Sequence, residues 1–130
     1  QIKQIKWVRK NLVDVRKNSL SMKLGFSKRL LKKYCESLSI EYIHIPEVGI
    51  NSDQRQELNT QQDYDALFEV YKKTTLKETD SYQTKIIELL TKYKRIALTC
   101  FEADICQCHR KPLAEAIAKN AIFEYEVKHI

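Results

Sequence analysis

The fold of this chain is decided by residues 95–119, which have the sequence RIALTCFEADICQCHRKPLAEAIAK. Residues 95–99 form a short apolar run that predicts a buried strand, and residues 111–119 have the apolar spacing of a helix. A strand, a loop and a helix in this order place the loop at the carboxyl edge of a parallel sheet, where α/β proteins bind their ligands. Residues 100–110 therefore predict a functional site without naming its substrate.

The rest of the chain alternates in the same way between helical and strand patterns. Apolar periodicity predicts helices at residues 1–10, 27–38, 63–73 and 80–94, and strands at residues 12–16, 40–45 and 123–128. Residues 51–62 are polar and predict an irregular segment with at most a helical turn. The predicted class is α/β, a three-layer α/β/α arrangement of one domain, residues 1–130, with a small, mainly parallel sheet. Strict alternation makes residues 123–128 its exposed edge strand near the C-terminus.

Composition bounds the class of protein. With 43% hydrophobic and 31% charged residues, the 130-residue chain resembles an ordinary soluble domain. No apolar run approaches the roughly 20 residues of a membrane span, and no signal peptide is recognisable, so no membrane partner is expected. Four Cys without a secretory context predict reduced thiols and a cytoplasmic location. A first helix that leads directly into a buried strand also suggests that another strand precedes it in the whole protein.

The helix after Ser27 combines an apolar stripe with a strong positive charge. Ser27 is a good N-cap, and the stripe predicts that Leu30, Leu31, Tyr34 and Leu38 are buried while Lys28, Arg29, Lys32 and Lys33 face outward. Residues 1–35 hold eleven Lys or Arg against one acid, whereas residues 36–130 hold twelve against sixteen acids. Such a basic segment could bind nucleic acid weakly through phosphate contacts. The alternative is a solvated helical face that keeps the protein in solution.

Four motifs resemble one protein family over nearly the whole chain. They are Leu12-Val13-Asp14-Val15-Arg16, Gly25-Phe26-Ser27, the run from Tyr42 to Gly49, and Cys100-Phe101-Glu102 with Cys108-His109-Arg110. Their order and spacing are similar to those of the domain of unknown function 488 family. The resemblance implies a single α/β domain that begins with a short strand before residue 2. It implies no activity, because none is established for the family.

Candidate binding residues follow the predicted strand ends. Because all carboxyl ends of a parallel sheet lie on one side, we expect one cleft to gather the side chains of Arg16, Glu47, Glu102, Cys108, His109 and Arg110. Asp14 is a further candidate binding residue. Cys100 reaches the same edge at the end of its strand, where it could be packed and inert. Two arginines near the positive end of a helix favour a small anion such as a phosphate, a carboxylate or a sulfur oxyanion. The alternative is that Arg16 and Arg110 pair with Asp14, Glu47 or Glu102 and serve only the structure.

Cys108 is the candidate nucleophile. Its place at a helix N-terminus, next to His109 and Arg110, favours the thiolate and hence a Cys-dependent transferase or hydrolase, with Glu102 and His109 as catalytic partners. A structural thiol is the alternative. Zinc bound by Cys100, Cys106, Cys108 and His109 would require adjacent side chains to point to one ion, so we expect neither a metal nor another cofactor. His44 is expected to be a half-buried strand histidine.

Overall fold

The computed structural model describes residues 10–18, 27–55, 57–93, 95–100, 104–119 and 126–129, and every statement about structure concerns these residues. Their sheet has three parallel strands in the order β2-β1-β3, which are β1 Lys10–Asp14, β2 Ile40–His44 and β3 Arg95–Thr99. The central strand is thus the first one. The α/β class and the small parallel sheet predicted from the sequence are confirmed.

Strand register decides which side chains meet at the carboxyl edge. Asp14 is opposite His44 on one side and opposite Thr99 on the other. Because side chains alternate along a strand, Asp14 faces away from Val13 and Val15, which are fully buried in the apolar core. At the carboxyl end of β1, Val13 and Val15 therefore face the apolar core, whereas Asp14 faces the polar groups that form the candidate site.

Five helices and three 3-10 segments surround this sheet. The helices are α1 Lys28–Ser37, α2 Gln61–Lys73, α3 Thr75–Glu78, α4 Asp80–Tyr93 and α5 Arg110–Ala118, and the 3-10 segments are Pro46–Val48, Ser52–Arg55 and Ile105–Gln107. Local sequence explains the helix starts. The hydroxyl of Ser27 accepts a hydrogen bond from the backbone N–H of Leu30, and Thr60 forms a capping box with Asp63. None of the described helices is long and apolar enough to cross a membrane.

The apolar core lies between the Val13 face of the sheet and the helices. Its buried members are Val13, Val15, Ile45, Val48, Ile50, Phe68, Tyr71, Ile86, Ile87, Leu113 and Ile117. Burial of a single side chain such as Leu113 stabilises the fold by about 1.5–3 kcal/mol. Helix α5 is held by Leu113 and Ile117, so its first turn is fixed close to the carboxyl edge of the sheet.

Two predicted elements differ from the structure at the chain ends. Lys10 begins β1 and is not helical, because its backbone pairs with β2 and β3; the rest of the predicted first helix lies outside the described residues. Of the predicted edge strand, residues 123–125 also lie outside them. Glu126 to His129 have no regular secondary structure. Alternation over six residues is too weak a signal to fix a strand unless a neighbouring strand pairs with it.

The buried face of α1 is narrower than predicted. Tyr34 and Leu38 are 51% and 70% exposed, whereas Cys35 is only 4% exposed. The reason is the position of α1, which packs against β2 at the edge of the described sheet. A single edge strand covers only a strip of the helix, so the apolar stripe extends beyond the surface that could bury it.

Candidate functional site

The carboxyl end of β1 holds a buried ion pair. The Asp14 carboxylate accepts hydrogen bonds from Nε and Nη2 of Arg16 at 2.8 and 2.6 Å, and from the Arg16 backbone N–H at 3.2 Å. The Tyr42 hydroxyl donates to the same carboxylate at 2.5 Å. Asp14 and Arg16 are 0% and 2% exposed. The pair is therefore bidentate, satisfied and closed to solvent.

Hydrogen bonding dominates the electrostatics of this pair. Burial would raise the pKa of Asp14, but the hydrogen bonds from Arg16 and Tyr42 outweigh it and hold the pKa below its ordinary value. The hydrogen bond to Asp14 raises the pKa of Arg16 in spite of burial. Burial first, and then the hydrogen bond to Asp14, raise the pKa of Tyr42, so the phenol stays neutral and donates. The alternative in which Arg16 serves the structure thus has a specific partner, Asp14.

The loop after β1 is fixed against the loop after β2. Nε2 of His44 lies 2.7 Å from the carbonyl oxygen of Arg16. A Cβ added at Gly49 would lie 2.4 Å from the backbone nitrogen of Lys17, so only glycine fits this close approach. Glu47 is half-buried in the 3-10 segment Pro46–Val48, at the same carboxyl edge. His44 is the half-buried strand histidine that the sequence predicts.

The loop between β3 and α5 joins two cysteines. Cys100 and Cys108 form a disulfide with an S–S distance of 2.07 Å, while Cys35 and Cys106 are free. The prediction of reduced thiols is wrong for this pair. That prediction was based only on cysteine content and on the lack of a secretory signal. The fold, however, brings the end of β3 close to the turn that begins α5.

Arg110 contacts the sulfur of Cys108 twice. Its Nε lies 3.1 Å and its backbone nitrogen 3.4 Å from Sγ, and its Nη1 is 3.5 Å from the carbonyl oxygen of Leu98. Cys108 is 0% exposed, and burial lowers the pKa of Arg110, although a guanidinium remains charged at neutral pH. A positive group and a helix N-terminus therefore meet at one sulfur, a position where negative charge is stabilised.

His109 connects this sulfur pair with the central strand. Its Nε2 lies 2.9 Å from the carbonyl oxygen of Val15, the residue between Asp14 and Arg16. Its ring contacts the ring of Tyr71 edge-on at 5.7 Å, and the Tyr71 hydroxyl donates to the Val48 carbonyl at 2.5 Å. Because a carbonyl can only accept, Nε2 carries the proton in this contact. His109 is 1% exposed, so it does not face solvent but fixes the turn that begins α5 against the end of β1.

Three residues of the site could also hold a metal ion. The two sulfurs of Cys100 and Cys108 and one ring nitrogen of His109 lie within 4.8 Å of one another. The sequence predicts that Cys108 and His109 point in different directions, but their ligand atoms lie close enough together to approach one ion. Cys106 does not join this group among the described residues. In the disulfide form neither sulfur is a thiolate, so a thiolate-bound metal requires reduction first.

The structure brings together five of the residues chosen from the sequence. Asp14 and Arg16 pair directly, Cys108 contacts Arg110, and His109 joins the two groups through Val15. Glu102 lies outside the described residues. A surface depression of about 190 Å³ between α4 and α5 contains none of these five. The site is thus a closed cluster whose partly exposed members are Cys100 and Arg110.

Sequence reasoning missed the part that Tyr42 and Tyr71 play. Tyr42 could have been found, because in a parallel sheet it shares a face with Asp14 and His44. Tyr71 lies on α2, 38 positions before His109, and no local sequence pattern predicts their contact.

The fold and this cluster define a small α/β domain with a buried ion pair and a disulfide at the carboxyl ends of its strands. The model of the family described as Domain of unknown function DUF488 matches residues 6–117. The chain belongs to this family, and the resemblance seen in the four motifs is confirmed. Comparison with the curated proteins and with the solved structures found no match.

Proposed function

We propose that this domain binds and processes a small anionic molecule at the carboxyl ends of β1 and β3. The observation that supports it best is the convergence of the Arg110 guanidinium and the Arg110 backbone N–H on the sulfur of Cys108. The same donors can stabilise a thiolate at Cys108 and attract an anionic group next to it. A guanidinium has five N–H donors, so contact with sulfur and with an oxyanion is compatible.

The proposal gives the two arginines different tasks. Arg16 is fully buried with Asp14, so both act in positioning the end of β1 and do not contact the ligand. Arg110 is half-buried at the edge and contacts the anion. His109 positions the turn that carries Cys108, while Glu102 stays a candidate catalytic residue and Glu47 a candidate ligand-binding residue. The proposal thus gives Asp14 and Arg16 a positioning role in place of the ligand-binding role that the sequence predicts.

Cys108 is the candidate catalytic residue of a transferase or a hydrolase. The nucleophile is a thiolate, so the disulfide must first be reduced before Cys108 can attack a substrate. The surroundings of buried Cys35 disfavour the thiolate, because burial and the charge of Glu36 both raise the pKa of its thiol. We therefore propose that Cys108 is the reactive thiol and that Cys35 is structural.

Anion binding to the reduced chain tests the proposal. Inorganic phosphate and sulfate are titrated calorimetrically into the parent chain, Arg110→Ala, Arg110→Lys and Lys111→Ala, the last being the matched control because Lys111 is exposed beside Arg110. Loss of a charged hydrogen bond should weaken binding about 10- to 100-fold in Arg110→Ala. Lys111→Ala should bind like the parent. A parent chain that binds neither anion, or an Arg110→Ala chain that binds both unchanged, overturns the proposal.

A second candidate function is weak association with nucleic acid. Lys28, Arg29, Lys32 and Lys33 are all exposed on α1. Helix α1 follows β1 and ends just before the parallel strand β2, so its first turn is directed toward the carboxyl edge of the sheet. Phosphate contacts from such a helix give binding that falls steeply with salt. Binding of DNA or RNA that stays unchanged from low to high salt would contradict this candidate.

A further inference from the structure

We propose that the Cys100–Cys108 disulfide exchanges with small anionic thiols, and that the incoming thiolate attacks Cys100 while Cys108 leaves. This rests on the proposed anion site and names its substrate class. Both sulfurs belong to one bond, but their surroundings differ, and the direction of the reaction follows from that difference.

Access distinguishes the two sulfurs. Cys108 is 0% exposed, whereas Cys100 is partly exposed at the end of β3. Thiol–disulfide exchange requires a thiolate to reach one sulfur along the S–S axis, so which sulfur is attacked depends on access. Burial of Cys108 below α5 directs the attack to Cys100.

Charge stabilisation favours the same direction. When the S–S bond breaks, the leaving sulfur takes the electron pair and becomes a thiolate. At Cys108 this negative charge develops 3.1 Å from Nε of Arg110 and 3.4 Å from its backbone nitrogen. The donors are already in place before the bond breaks, so no reorganisation is needed at that moment.

The reaction balances with a thiol as the only co-reactant. A thiolate forms a new S–S bond with Cys100, and the bond between Cys100 and Cys108 breaks to give the Cys108 thiolate. A second thiolate then attacks the sulfur of the first thiol, which releases Cys100 as a thiolate and a small-molecule disulfide. The protein disulfide is reduced by two electrons, and the two thiols are oxidised.

An anionic thiol fits because the half-buried Arg110 guanidinium contacts the sulfur that leaves. A carboxylate on the thiol can contact the half-buried guanidinium while its sulfur approaches Cys100. Glutathione, a thiol with two carboxylates, belongs to this chemical class. The exchange also supplies the reduced Cys108 that the proposed function needs.

The test uses the oxidised full chain carrying Cys106→Ser, which removes the exposed free thiol and leaves Cys35, 4% exposed, as an internal control. Reduction is followed with 3-mercaptopropionate, 2-mercaptoethanol and cysteamine, which are anionic, neutral and cationic, at equal thiolate concentration. Acid quenching during the reaction traps the mixed disulfide, and peptide mass mapping locates it. We expect the adduct on Cys100 and a preference of roughly 10-fold for the anionic over the cationic thiol.

The outcomes separate the two proposals. An adduct on Cys108, equal adducts on both residues, or a purified chain with all thiols free after mild oxidation overturns the exchange proposal. An adduct on Cys100 without preference for the anionic thiol supports exchange and contradicts the anion site. In Arg110→Gln the preference should disappear while the adduct remains on Cys100; a preference that persists contradicts the role of Arg110.

Discussion

Two arginines at the carboxyl edge of the sheet have opposite surroundings. Arg16 contacts the carboxylate of Asp14, two residues earlier at the end of β1, and is 2% exposed; Tyr42 is a second donor to that carboxylate. Arg110 contacts a sulfur two residues earlier, on the turn that begins α5, and is half-buried. An arginine at a strand end is thus not a ligand site by itself. The acceptor two residues away differs in charge: the Asp14 carboxylate is an anion that pairs with Arg16, whereas a disulfide sulfur such as that of Cys108 carries no charge.

The largest expected effect comes from breaking the first of these clusters. Asp14→Ala leaves the Arg16 charge buried without its partner, which should cost about 3–5 kcal/mol of the free energy of unfolding. Urea denaturation of the purified chain measures it. The control is Glu69→Ala, which removes the exposed pair with Lys72 and should cost at most about 1 kcal/mol. Equal effects of the two substitutions would mean that Asp14 and Arg16 are not a buried pair in solution.

Opening the second cluster should have a smaller effect. The disulfide joins residues eight positions apart, and a loop of that size corresponds to about 2.5 kcal/mol of lost chain entropy in the unfolded state. Urea denaturation of Cys106→Ser with and without a reductant should show this difference. Cys100→Ala should remove the dependence on reductant. Persistent dependence in Cys100→Ala would show that another pair of cysteines carries it.

The smallest expected effect is the loss of stability of the ion pair of Asp14 and Arg16 in acid. It is small because protonation of Asp14 removes a charge but leaves the side chain in place. The pKa of Asp14 is lowered in the folded chain, so its contribution to stability is full above the unfolded value of 3.8 and is lost as pH falls below it through the folded value. The parent should therefore lose stability more steeply below about pH 4 than Asp14→Asn does. Asp63, whose pKa is lowered by the backbone N–H groups of Asn59 and Thr60, contributes in the same direction and remains in both chains. Parallel melting temperature profiles for the two chains would contradict the assignment.

Local signals predicted the elements that local interactions determine. Helices α2 and α4 were found from their apolar periodicity, and the helix after Ser27 from its cap and its apolar stripe. The parallel sheet followed from the alternation of these helices with apolar strands. The position of the turn with Cys108, His109 and Arg110 at the carboxyl edge of the sheet followed from topology alone, because every strand-to-helix loop lies on one side.

The remaining features depend on distances that the sequence does not contain. Arg16 had three candidate carboxylates, and only the geometry at the end of β1 selects Asp14. The pairing of Cys100 with Cys108 depends on where the first turn of α5 lies. Tyr34 and Leu38 were placed in the core because periodicity reveals an apolar stripe but not the width of the surface against it.

The contact between His109 and the Val15 carbonyl joins residues 94 positions apart. A contact of such sequence separation closes a loop that spans most of the chain, so it forms only after β1, β3 and α5 have come together. The sulfur pair and its arginine therefore acquire their surroundings late in folding, and a nascent chain that ends before residue 108 contains none of this chemistry. Until these elements have come together, Cys108 lacks the Arg110 contact that favours its thiolate.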